Sequence, residues 1–136
     1  MLQTDYGVKT EFVTLGRLPK WMLDAEGMGK VTDQIQAGKL LCEFGHPDIA
    51  GLDDHSIVKR CRDINYNRVC AQTIGITPVY VNATLQGYNV SVQPCGPMHS
   101  LLETGNYRLG VRGLKREDGE LVELITFDVL PVKNRN

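Results

Sequence analysis

The chain has 136 residues, 42% of them hydrophobic and 23% charged. That is an ordinary globular mix, long enough for one domain around one core and too apolar for a disordered chain. A formal net charge of -1 gives no electrostatic reason to expect nucleic acid or an anionic membrane as the main partner. No apolar run approaches the roughly 20 residues that span a bilayer.

The opening stretch, MLQTDYGVKTEF, has neither the basic region nor the apolar core of a secretory signal. The expected compartment is therefore the one in which the chain is made, a reducing cytoplasm. Cys42, Cys61, Cys70 and Cys95 are widely and unevenly spaced, with no C-x-x-C pair. Structural zinc sites cluster their ligands two to four residues apart, so these cysteines read as buried or half-buried thiols. Whether they pair after release into an oxidising medium is left open. Nothing in the spacing calls for a metal or a cofactor.

In chain order, Gly7 to Thr14 alternates as a strand does, and Leu15-Gly16-Arg17 breaks it. Pro19 suits the first turn of a helix. Trp21, Met22, Ala25, Met28, Val31, Thr32 and Ile35 then recur at three- and four-residue steps as one apolar stripe. Gly38 can end that helix, and Gly27 with Gly29 predicts a kink or break in its middle. Lys39 to Phe44 reads as a short buried strand, stopped by Gly45-His46-Pro47 and followed by a polar loop from Asp48 to Asp54.

Strand-like stretches follow at His55 to Ile64, Arg68 to Ile74, Val79 to Leu85 and Tyr88 to Val92, with Gln86-Gly87 as a tight hairpin turn. Pro94-Cys95-Gly96-Pro97 interrupts the pattern, Met98 to Glu103 makes a short helix, and Gly105 lies past its end. Tyr107 to Val111 and Leu121 to Leu130 are the last strands, joined by the charged turn KREDGE, and the tail from 130 to 136 is expected to fray. With no linker, repeat or composition shift, residues 1–136 read as a single domain. The expected class is α+β. It is a mostly antiparallel barrel or sandwich of about seven strands, with one main and one short helix packed outside it.

The segment Leu40 to Pro47, LLCEFGHP, resembles the G-E-L-x-H-P signature around the histidine of the prohead (head maturation) proteases of T4-like tailed phages, relatives of the herpesvirus assemblin proteases. Further matches come in the family's order. Arg17-Leu18-Pro19-Lys20 and the following helix are similar to its R-L-Y-P-x-x-x-L segment. Gly96-Pro97, Leu101-Leu102, Gly105 and Gly110-Val111-Arg112-Gly113 are similar to its G-P…L…G…S-S-R-G run. The strand ELITFDVL matches the closing strand. The resemblance runs from about Gly7 to Leu130 and is looser between Asp63 and Pro94, where this chain carries extra residues.

In such proteases a serine attacks the peptide carbonyl, a histidine takes its proton, a third group orients the histidine, and backbone N–H groups hold the oxyanion. The resemblance makes His46 the base. It puts the third member at Asp53, with Asp54 and His55 as near alternatives, and the oxyanion loop at Arg112 and Gly113. The nucleophile is missing, because Gly110 and Val111 stand where the family has its two serines. Losing one triad member costs a factor of about 10⁴ to 10⁶ in rate. No Ser, Thr or Cys lies between Gly105 and Glu120 to replace it; the nearest are Thr104, Ser100 and Cys95.

A plainer reading stands beside this one. His46 ends a strand, Asp53-Asp54-His55 forms a turn or a helix cap, His99 is solvated, and the Trp21-Met22-Met28 stripe is core. The expected function is a catalytically inactive phage protein that keeps this fold as a structural or binding module, head-associated in capsid decoration or assembly. Its expected partners are capsid or other head proteins, with self-assembly as an oligomer or on a lattice, and neither nucleic acid nor membrane. Its expected place is the host cytoplasm during assembly and then the virion head. The alternatives are an active maturation protease using Cys95 or Ser100, and a phage protein that binds and inhibits a host factor.

Overall fold

The computed structural model describes residues 7–103, 107–118 and 120–132. Over these, the chain is α+β, with six strands in antiparallel sheets and two α-helices. β1 (Lys9–Thr14), β4 (Thr84–Pro94), β3 (Val69–Val81) and β2 (Leu41–Glu43) form one sheet in that spatial order, and β5 (Tyr107–Lys115) pairs with β6 (Leu121–Pro131). The two sheets meet where β2 ends. Phe44 bridges Val129 in parallel, the Gly45 N–H donates to the Val129 carbonyl at 2.8 Å, and the Thr126 hydroxyl donates to the Leu41 carbonyl at 2.7 Å.

The opposite seam, between β1 and β5, is spanned by side chains. The Leu109 N–H donates to the Glu11 carboxylate at 2.9 Å, and Arg17 donates to the Leu109 carbonyl at 2.8 Å. The strands therefore curl around one core without closing into a barrel. Val13, Met22, Val31, Leu40, Val90, Val92, Phe127 and Val129 fill that core from both sheets and the first helix.

The helical stripe divides differently from the expectation. A 3₁₀ turn over Lys20–Leu23 comes first, and α1 (Ala25–Gln36) follows. The break falls at Asp24, whose carboxylate accepts the Gly27 N–H at 2.8 Å as an N-cap, and not at Gly27 or Gly29. Gly27 is needed for close approach, since a Cβ there would lie 1.9 Å from the Trp21 carbonyl oxygen. Gly27, Val31 and Ile35 make the buried face at four-residue steps.

Two other expectations are corrected. The stretch from His55 to Ile64 is not a strand: Asp54–Arg62 is a helix, α2. Asp53 caps it by accepting the Ser56 N–H at 2.8 Å, and Lys59, Arg60 and Arg62 crowd its C-terminal turn, where the helix dipole favours cations. Its Ile57, Val58 and Cys61 sit at helical spacing, but the helix buries no residue fully, so its apolar signal is weak. The second correction is the hairpin. β3 runs unbroken through Pro78 to Val81, and the turn is at Asn82 and Ala83, both with positive φ (51° and 67°), instead of Gln86-Gly87. Gly87 lies inside β4, where a Cβ would meet the Val13 carbonyl of β1 at 2.3 Å. Of the eight strand-like stretches, two merge into β3 and one becomes α2, which leaves six strands among the described residues beside an overall expectation of about seven. The short helix expected at Met98 to Glu103 is a 3₁₀ turn over His99–Glu103, and Gly105 and the end of the tail lie outside the described residues.

Candidate active-site remnant

The strand signal that buries β2 and β6 also buries two carboxylates. Glu43 is the last residue of β2 and Asp128 lies midway along β6; both are fully buried. A buried carboxylate has to find cations and N–H donors to replace water, and here one guanidinium serves both. Arg112, on β5 two residues beyond Gly110, the register partner of Asp128, is 3% exposed. Its Nε and Nη2 donate to the two Asp128 oxygens at 2.9 and 2.8 Å, and its Nη2 lies 3.1 Å from Glu43. Helix α2 completes the cluster from behind. Arg60 reaches both Glu43 oxygens at 3.3 and 3.0 Å, the Asn65 N–H donates to Glu43 at 2.8 Å, and Arg112 Nη1 donates to the Cys61 carbonyl at 3.3 Å.

Burial alone would raise the Glu43 pKa, but Arg60, the Asn65 N–H and Arg112 together outweigh it and hold Glu43 below its ordinary value. Arg112 is penalised by burial too, yet Asp128 and Glu43 fix it more firmly in its charged form. Because folding lowers the Glu43 pKa, its stabilisation is complete above the ordinary glutamate value of about 4.3 and is lost as the pH falls through the folded value. Denaturant midpoints measured from pH 7 down to pH 3 should fall steeply in the acid limb for the wild type and less steeply for Glu43→Gln. Equal slopes would remove Glu43 from the account.

His46 stands at the front of this cluster. Gly45, with φ +81°, turns the chain sharply at the end of β2 and sends His46 back over β6. Its Nδ1 lies 2.9 Å from Asp128 Oδ2. In the tautomer that donates its Nδ1–H to that oxygen, the ring keeps Nε2 as a bare acceptor. Nε2 faces Gly110. A Cβ built on Gly110 would lie 2.9 Å from Nε2, 3.0 Å from Cε1 and 2.5 Å from Leu130 Cδ1. The imidazole and Leu130 thus occupy the space a side chain at 110 would take.

His46 and Gly110, which the sequence matched to the base and the missing nucleophile, are therefore neighbours in space. Val111 and Gly113 line the same cleft, of about 560 Å³, while the Arg112 side chain points the other way into the buried cluster. The β5–β6 register shifts between Arg112 and Gly113, the segment matched to the oxyanion loop. Asp53 is not the third member. It is exposed and caps α2, while Asp54 and His55 lie in the first turn of that helix. The carboxylate that orients His46 is Asp128.

Neither substitute nucleophile lines the cleft. Ser100 lies in the 3₁₀ turn after β4; Cys95 precedes that turn, and burial raises its thiol pKa. Thr104 is outside the described residues. Burial pushes the thiols of Cys42 and Cys70 up to about 12, which makes them inert, and all four cysteines are free. His99 Nδ1 donates to a local carbonyl, that of Gly96, at 2.9 Å. No group of three or more His, Cys, Asp or Glu among the described residues is arranged to hold a metal ion. No helix among them is long and apolar enough to cross a membrane. Comparison with protein-family models, curated proteins and solved structures finds no match to this chain.

Proposed function

We propose that this chain is a catalytically inactive relative of the tailed-phage prohead proteases, serving as a structural or binding module associated with the phage head. One observation carries the reading: a histidine oriented by a buried aspartate directs its free nitrogen at a glycine. A His–Asp pair set against a reactive hydroxyl is the working core of serine-type acyl transfer. Here the same pair is kept and the hydroxyl is replaced by a hydrogen, with no alternative hydroxyl or thiol among the described residues that line the cleft. A scaffold in that condition acts through its surfaces, and capsid or other head proteins are the partners that the resemblance suggests. Capsid decoration and assembly are the roles that follow, in the host cytoplasm and then in the virion.

Fluorogenic peptides and intact-mass analysis test the enzymatic half. The wild type should show neither turnover nor self-cleavage, and His46→Ala should change nothing. Turnover that vanishes in His46→Ala would overturn the assignment. Mass spectrometry of purified particles tests the other half: the chain should be found in heads, and its absence there would count against a head protein.

A further inference from the structure

The face of the first sheet that turns away from the core carries no charge. Thr10 on β1 and Ser91 on β4 share that face, since their hydroxyls hydrogen-bond at 2.8 Å. Val13, three positions along β1, points the other way and is buried in the core. Alternation puts Phe12 and Thr14 beside Thr10, and the register sets Asn89 opposite Phe12 and Thr77 opposite Asn89. Lys9 and Glu11 alternate to the other side, and from Val69 to Leu102 the chain has no Asp, Glu, Lys or Arg. In a chain that is 23% charged, a merely solvated face would carry such side chains.

Phe12 supplies a second, independent feature. It is 40% exposed, yet its ring has a prepared seat. A Cβ on Gly87 would lie 2.7 Å from Phe12 Cζ and 2.9 Å from Cε1. The ring therefore leans across the neighbouring strand, into space that only a glycine at 87 leaves open, and turns its other side to solvent. Thr14, Thr77, Asn89 and Gln93 are exposed around it. Among the described residues, nothing hydrogen-bonds the side chains of Thr77 and Asn89.

A hexopyranose offers two kinds of surface. Its axial C–H groups stack on an aromatic ring, and its hydroxyls, each both donor and acceptor, pair with amides and hydroxyls. The sheet face presents both complements and withholds charge. We propose that it binds an uncharged chain of β-1,4-linked hexopyranoses, one unit stacked on Phe12 and its neighbours hydrogen-bonded to Asn89 and Thr77. That linkage makes a flat ribbon with its hydroxyls at the rim, which suits an open sheet. A protein partner fits less well, because contact cores gather several large aromatic and Met side chains and are depleted in Ser. None of these residues lines the His46 cleft, so the proposal stands apart from the non-catalytic reading.

Amide NMR of the full chain, titrated with cellohexaose, tests it. The shifts should fall on β1, β3 and β4 around Phe12 and leave the His46 cleft unmoved, with a Kd on the order of 1 mM. Phe12→Ala should weaken binding about tenfold and Phe12→Tyr should retain it. Asn89→Ala, at an exposed site, should weaken it too and serves as the test if Phe12→Ala unfolds. Maltohexaose, which coils, and hexagalacturonate, with a carboxylate on every unit, should bind more weakly. No shift on this face, shifts confined to the cleft, equal binding of maltohexaose, or affinity unchanged in both alanine variants would overturn the proposal. Sedimentation closes the remaining route: a dimer that Phe12→Ala dissolves, with no response to cellohexaose, would assign the face to a second copy and overturn it as well.

Discussion

Asp128→Ala is expected to cost about 3–5 kcal/mol of stability, the usual penalty for removing one partner of a buried ion pair. The loss has three parts. Arg112, 3% exposed, forfeits both of its short hydrogen bonds to Asp128 and keeps Glu43 as its one carboxylate, beside the Cys61 carbonyl. The Glu43 N–H loses its acceptor at 3.2 Å, and the His46 ring loses the contact that fixes its orientation. For a domain of this size the melting temperature should drop on the order of 10 °C. The double variant Asp128→Leu with Arg112→Leu should recover much of the loss, because the cost lies in stranding a charge and not in lacking the pair. Thermal melting followed by circular dichroism checks both. A single variant as stable as the wild type would mean that Arg112 finds solvent or another partner on its own.

Gly110→Ser is expected to create a reactive serine where the wild type has none. Its Cβ collides only with the ends of two side chains, Leu130 Cδ1 and the His46 ring, and a small shift of each makes room while the ring stays on Asp128. The hydroxyl then stands beside Nε2, with Asp128 still on Nδ1. Toward a fluorophosphonate the serine oxygen bonds to phosphorus, fluoride leaves and the proton passes to Nε2. The His–Asp pair should speed this about a hundredfold over the background of Gly110→Ser with His46→Ala, at the lower end of what a positioned base supplies. Labelling indifferent to His46 would show that the pair is no longer aligned for proton transfer.

What could be seen in the sequence divides by physical cause. The strands of the second sheet, the short β2 and the glycine-terminated helix α1 all carry strong local periodicity, and they were readable. α2 was not, because it packs few apolar residues and depends on the Asp53 cap and its basic last turn. The β3–β4 turn was misplaced because Gln86-Gly87 is a good turn dipeptide, whereas Asn82-Ala83 places an alanine at positive φ, a choice that the flanking strands impose.

In the site, His46 and Gly110 could be found because the motif around each is distinctive. Asp128 and Glu43 were overlooked, although each is a lone carboxylate inside an apolar run, LITFDVL and LLCEF. That is the local sign of a charge that must be buried and paired. The resemblance put the third member at Asp53, a few residues after His46, whereas the aspartate on the ring is 82 residues away.

That separation has a consequence for how the molecule assembles. The Glu43 N–H and Asp128 are 85 residues apart, and His46 and Asp128 are 82. Closing so long a loop carries its entropy cost before any contact repays it, whereas the β3–β4 and β5–β6 hairpins can zip locally. Until β6 docks against β2, neither carboxylate can leave water without Arg112 in place. The charge cluster thus acts as a latch on the final docking step. The orientation of His46 and the joining of the two sheets are a single event, so before the sheets join the β5–β6 hairpin can pair Arg112 with Asp128 but holds no oriented histidine.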